Sequence, residues 1–242
     1  MTRPLRARLL LPALLAACAT PDIPSPDTPL HMLVMKCSVA TGAELHSRVT
    51  VLKRRDTNVD YALATAHALR PGATCRVEDD RGNSREILRF AVHPDYADGE
   101  GPGLFVDWGV VAFPRFESER LVRFDLDHAA SAEGLGTGLL PRGRGRLHSA
   151  KPCAITYRDA RVPPLGGRAA YTTYSCRTQG GQSGTPMTVV GADGQHRLIG
   201  MVTGRTFFYP DQTEASPGWY GRFIPVMPEM RASVAGLIDE LN

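Results

Sequence analysis

The chain is punctuated into short runs rich in β-branched and aromatic residues: "HMLVMKCSVA", "RVTVLKRR", "YALATAHAL", "REILRFAVH", "LFVDWGVVAF", "LVRFDLD", "CAITYRD", "AAYTTYSC", "MTVV", "RLIGMVTG" and "WYGRFIPV". Gly, Asp, Asn and Pro separate them. Runs of this length and spacing predict the strands of an all-β sandwich or barrel. One segment departs from the pattern. In "MPEMRASVAGLIDELN", Met230, Val234, Leu237 and Leu241 fall on one stripe, which predicts a C-terminal helix. At 242 residues and 43% hydrophobic, the chain can bury one large core or two small ones.

The first seventeen residues, "MTRPLRARLLLPALLAA", have a basic start, a short apolar run and a small-residue end, the layout of a secretory signal. The apolar run is too short to span a bilayer. It leads into Cys18, and "LAAC" resembles the lipobox of bacterial lipoproteins. That resemblance implies that residues 1–17 are a removed signal peptide and that Cys18 is lipidated as the mature first residue. With Ala19 rather than aspartate behind it, the resemblance implies a cell-envelope protein of the outer membrane, held by several acyl chains. Residues 18–30 carry Pro21, Pro24, Pro26 and Pro29, so they read as a semi-rigid tether of about 3 Å per residue.

Processing also settles the charge. The chain has 28 Lys and Arg against 25 Asp and Glu, but Arg3, Arg6 and Arg8 lie in the leader. A balanced mature chain gives no electrostatic reason to bind nucleic acid. Setting Cys18 aside leaves Cys37, Cys75, Cys153 and Cys176, enough for two disulfides in an exported protein, with three possible pairings. The sequential pairing keeps each bridge within one half of the chain and is the expectation. No CxxC pair or HExxH segment suggests a metal, and no cofactor is expected.

The stretch "TQGGQSGTPM", residues 178–187, is too loose for a tight turn between two strands, which needs one or two glycines. It contains Ser183. A serine hydroxyl becomes a nucleophile when a base takes its proton, and the base works best when a third group orients it. "ALATAHAL" supplies His67 after a run of small residues, and "FVDWGVVAF" supplies Asp107 at the start of another run.

Together these stretches resemble the chymotrypsin-like (trypsin-fold) serine peptidases: "ATAHAL" is similar to T-A-A-H-C, "DWGVV" to D-I-A-L-L and "GGQSGTP" to G-D-S-G-G-P, in the same order. The resemblance covers the layout of residues 31–242 and about twenty of them literally. It implies two antiparallel six-stranded β-barrels, residues 31–121 and 122–242, the second ending in the helix. It implies a serine endopeptidase acting as a monomer on peptide or protein substrates, with His67, Asp107 and Ser183 catalytic and an oxyanion hole made by the backbone N–H groups of Gly181 and Ser183. The substrate-binding positions that it implies are Arg177, Thr178, Thr203 and Arg205, with the Thr203 hydroxyl supporting the aspartate. If the Arg177 and Arg205 guanidinium groups enter the pocket they favour an acidic side chain before the cleaved bond; if they point into solvent, that preference is absent.

The sequence departs from the animal digestive enzymes at Gln182, which stands where they carry an aspartate that pairs with a newly cut amino terminus. A neutral amide makes no such pair, so activation by cleavage is not expected. Val202 stands where glutamyl endopeptidases carry a substrate-binding histidine. Asp95, Asp98 and Glu100 read as a solvated turn, Asp127 and His128 as linker, and "LLPRGRGRLH" as a solvated loop. Two further readings stand beside the peptidase: an inactive chain of this fold that binds a partner, and an esterase with the same triad.

Overall fold

The computed structural model describes residues 30–39, 42–54, 58–96, 106–118, 121–131, 135, 137–142, 147–158, 170–208 and 218–241. The expected leader, lipidation site and tether fall outside these residues, apart from Leu30 at the tether's end. Among the described residues, no helix is long and apolar enough to cross a membrane.

The first half contributes β2 (Leu33–Ser38), β3 (Glu44–Val51), β4 (Val59–Ala64), β5 (Thr74–Glu78), β6 (Ser84–Glu86), β7 (Arg89–Val92) and β8 (Gly109–Pro114). They hydrogen-bond in the antiparallel order β6-β5-β2-β3-β4-β8-β7. Between β6 and β7, the Ile87 N–H donates to Cys75 O on β5 (3.2 Å) and the Leu88 N–H to Ala112 O on β8 (2.8 Å). The run "REILRFAVH" is therefore one strand bent at Ile87 and Leu88, where it leaves one neighbour for the other. Its two halves close the sheet into a six-stranded barrel.

The second half contributes β9 (Thr137–Arg142), β10 (Leu147–Arg158), β11 (Ala170–Arg177), β12 (Pro186–Val190), β13 (His196–Phe208) and β14 (Gly218–Pro225). Their ring, β9-β10-β11-β14-β13-β12, closes because β9 pairs with both β10 and β12. A two-residue β1 (Leu30–His31) adds to the outside of β10, so the chain touches the second barrel before β2 enters the first. Helix α1 (Pro228–Leu241) follows β14.

Three apolar clusters explain why the strand runs read as they do. On β4, Ala62 and Ala64 fill the first barrel while Tyr61 and Leu63 face the contact between the barrels; on β8, Val111 and Phe113 point in, and Val110 and Ala112 point out. With both faces covered, neither strand shows polar alternation. The outer cluster joins these residues and Trp108 to Leu198, Met201 and Ile224 of the second barrel and to Met230, Val234 and Leu237 of α1. Inside the second barrel lie Leu140, Ile155, Met187, Ile199, Val202 and Phe223. At about 1.5–3 kcal/mol for each large apolar side chain removed from water, the shared cluster fixes how the barrels sit.

The cysteines pair in sequence, Cys37 with Cys75 and Cys153 with Cys176. Cys37 and Cys75 are directly opposite on β2 and β5, and the second bridge joins β10 to β11. "LVRFDLD", expected as a strand, makes only two isolated bridges, Leu121 to His31 and Phe124 to Leu52. Its apolar residues are buried for another reason: Leu121 plugs the first barrel, while Phe124 and Leu126 sit between the two.

Candidate active site

Each expected catalytic side chain stands where a regular element stops. β4 ends at Ala64 and the chain makes a single 3-10 turn, Ala66–Ala68, whose small residues are buried and whose middle residue, His67, faces outward. Asp107 immediately precedes Trp108 and β8, and the buried indole holds that strand start in the outer cluster. Pairing of Ala64 with Gly109 brings these two strand ends together. Asp107 then accepts hydrogen bonds from the His67 backbone N–H (2.9 Å, Oδ1) and meets the ring Nδ1 at 2.8 Å (Oδ2) and 3.1 Å (Oδ1). A carboxylate only accepts, so the ring hydrogen belongs on Nδ1, which leaves the Nε2 lone pair available. The Asp107 side chain is 13% exposed and that of His67 39%, so the acid lies behind the base.

Ser183 comes from the second barrel, in the loop between β11 and β12. It shares with His67 a cleft of about 230 Å³, also lined by Thr178, Gln179, Gly180, Gln182, Val202, Thr203 and Gly204. The loop's backbone is committed in an uneven way. The Gln182 N–H donates to Gln179 O, Thr185 N–H to Gln182 O, and Gly184 N–H to Val202 O. The Gln182 side chain folds back so that its Oε1 accepts the Gln179 N–H at 2.9 Å. Among the described residues, the N–H groups of Gly181 and Ser183, like that of exposed Gly180, have no protein acceptor. Gly181 adopts φ +81°, a conformation that side-chain-bearing residues resist. The extra glycines of "GGQSG" thus leave the N–H groups of Gly181 and Ser183 free while those of Gln182, Gly184 and Thr185 are satisfied.

The remaining expected positions are spread along the same walls. Thr178 is buried at the cleft, and its Oγ1 has no partner. Thr203 occupies the register shift between Val202 and Gly204 on β13; its Oγ1 is buried without a hydrogen bond, so the expected support of Asp107 is not made. Arg177 ends β11 and Arg205 lies on β13, opposite Tyr220 and Gly221 of β14; their side chains lie outside what is described. His128, read beside Asp127, instead meets Asp125 at 2.8 Å on the exposed surface between the barrels. Sequence reasoning missed Thr50, whose Oγ1 donates to Gly184 O (2.8 Å), and Arg48, whose backbone N–H donates to Ser183 O (2.7 Å). Neither carries a local signal, because both act across more than 130 positions of chain.

Two closed six-stranded antiparallel barrels, a C-terminal helix and a cleft where the barrels meet define the chymotrypsin-like (trypsin) fold. Solved structures of this fold are similar over most of the chain. The protease Anisep from Arthrobacter nicotinovorans is matched over 86% of this chain and 95% of its own, with a TM-score of 0.57 at 9% identity. HL collagenase is matched over 81% and 88%, with a TM-score of 0.56 at 12% identity. The HtrA-type protease AlgW is matched over 87% of this chain and 60% of its own, with a TM-score of 0.53 at 15% identity. At these identities the likeness establishes the fold. No protein-family profile and no curated protein matches the chain in sequence.

Proposed function

We propose that the protein is an exported serine endopeptidase that hydrolyses peptide bonds through an acyl-enzyme on Ser183. The observation that carries this reading is His67, whose Nδ1 rests on Asp107 while the residue lines one cleft with Ser183. In this reaction His67 Nε2 takes the hydroxyl proton as Ser183 Oγ bonds to the scissile carbonyl carbon, and the carbonyl π electrons move onto oxygen. The resulting oxyanion accepts from the Gly181 and Ser183 N–H groups, each such donor lowering the barrier by about 3 kcal/mol. Collapse breaks the C–N bond, and His67 returns its proton to the leaving amine. Water, deprotonated by His67 in turn, then releases the acyl group and restores the serine. Asp107 keeps the ring in the required tautomer and stabilises the imidazolium.

A fluorophosphonate probe tests the reading. Wild-type protein is expected to label, and Ser183→Ala to lose the label, while substitution of exposed Ser84, which lies on β6 away from the cleft, retains it. Folded wild-type protein that does not label would favour the partner-binding reading. Labelling accompanied by turnover of acyl esters, without cleavage of any peptide, would favour the esterase.

Export and anchoring form part of the same proposal, supported by the leader-like first seventeen residues and by Cys18 behind them. Wild-type protein should then sediment with membranes and Cys18→Ser should appear in the soluble envelope fraction. Equal partition of the two removes the anchor.

A further inference from the structure

One guanidinium near the cleft is unexplained by the reaction. Arg222, on β14, pairs in register with Gly204 on β13, so the two share one face of the sheet. Gly204 lines the cleft beside Thr203, Ser183 and His67. A Cβ placed on Gly204 would stand 3.2 Å from Arg222 Nη2, 3.8 Å from Nε and 3.9 Å from Cζ. The Arg222 side chain therefore lies across the bare backbone of Gly204, in the room that a side chain there would take.

This guanidinium is half-buried, and among the described residues it has neither an ion pair nor a hydrogen bond; its Nε is sealed from solvent without an acceptor. Sealing a charged donor from water without a partner is unfavourable, so an acceptor placed against it is favoured. The negative charge of Asp107 opposes the lowering that burial imposes on the arginine's pKa. Asp107, however, has both oxygens turned to His67. The rest of the wall offers Arg222 no carboxylate: among the described lining residues of the cleft there is no Asp or Glu. A planar guanidinium with unfilled donors is matched best by a carboxylate, which it can grip through two parallel hydrogen bonds.

We propose that Arg222 is a specificity-determining residue that binds a carboxylate of the substrate across Gly204, so that the enzyme selects peptides with an acidic side chain close to the cleaved bond. The proposal rests on the peptidase reading, but on a different residue from the two arginines, Arg177 and Arg205, at the implied pocket positions. Arg222 was not legible as a site residue in "WYGRFIPV", since only the β13–β14 register puts it against the cleft wall.

The test is a set of fluorogenic peptides differing only by Asp against Asn at each of the four positions on either side of the cleaved bond. The readout is the ratio of kcat/KM for Asp over Asn within one protein, in which the amount of active enzyme cancels. For wild type the ratio is expected to reach about 10-fold to 100-fold at one position, the range of a charge-assisted hydrogen bond. In Arg222→Gln it should fall to about one, and in Arg222→Lys to an intermediate value, since an ammonium group cannot form the paired bonds. If Arg222→Gln does not fold, Arg222→Lys and the wild-type ratios decide. Wild-type ratios near one at all eight positions, or a preference unchanged in the Arg222 variants, overturn the proposal while leaving the peptidase standing. Wild-type protein that neither labels with fluorophosphonate nor cleaves any peptide overturns both.

Discussion

Asp107→Asn lowers kcat for peptide hydrolysis by about 10⁴-fold and leaves the fold and KM nearly unchanged. The reason is the count of donors and acceptors at one carboxylate. Asp107 accepts from the His67 backbone N–H at 2.9 Å and from ring Nδ1 at 2.8 Å and 3.1 Å. Asparagine has the same shape with one acceptor and one donor. If its oxygen stays on the backbone N–H, its amide nitrogen faces Nδ1, which must then accept. The ring hydrogen moves to Nε2, where Ser183 requires a lone pair. If the amide is flipped, its N–H₂ opposes the His67 backbone N–H, donor against donor, and the turn carrying His67 loses its anchor. At about 1.4 kcal/mol per decade, the loss corresponds to about 5–6 kcal/mol of transition-state stabilisation. Single-turnover kinetics beside thermal melts measure both halves of this expectation. A folded Asp107→Asn protein within tenfold of wild-type kcat would mean that the Asp107–His67 pair is structural and that the catalytic base lies elsewhere.

What the sequence made legible was local. Strand runs, the helix stripe, His67 after small residues, Asp107 before an apolar run and the glycine-rich loop each depend on neighbours within ten positions. The cysteines were nearly as readable, since only three pairings existed. What escaped was whatever depends on closure. "REILRFAVH" serves two neighbours because a barrel must close, and "LVRFDLD" is apolar because Leu121 plugs the first barrel and Phe124 and Leu126 fill the space between the two, rather than because it is a strand. Arg222 reads as an ordinary strand arginine until β13 and β14 are aligned, when the absence of a side chain at Gly204 gives it a place beside the cleft. Gln182 was read for the ion pair that it cannot form. Its amide instead satisfies the Gln179 N–H within the loop, so the loop's own sequence provides an internal brace.

Gly184→Ala is expected to cost about 3–5 kcal/mol, well above the usual range for a surface-loop change. Gly184 has φ +84°, where an L side chain costs about 1–2 kcal/mol by itself. The larger effect is the neighbour: an added Cβ would stand 1.8 Å from Arg48 O and 2.7 Å from Arg48 C. Both are backbone atoms of β3, so no rotamer change relieves the overlap, and the loop must move away from the first barrel. That movement strains the bonds joining the loop to both barrels, Arg48 N–H to Ser183 O and Thr50 Oγ1–H to Gly184 O on one side, and Gly184 N–H to Val202 O on the other. Each contributes about 1 kcal/mol. For a chain of this size the sum predicts a Tm lower by about 10 °C. Activity should fall with it, because the displaced residue adjoins the nucleophile. Gly180→Ala supplies the comparison, since its added Cβ meets nothing within 4 Å and its φ is not positive. It should stay within about 0.5 kcal/mol of wild type. Equal melting temperatures for the two variants would show that the serine loop is not seated on Arg48. The cleft would then lack the contact that holds a nucleophile from the second barrel against a base from the first.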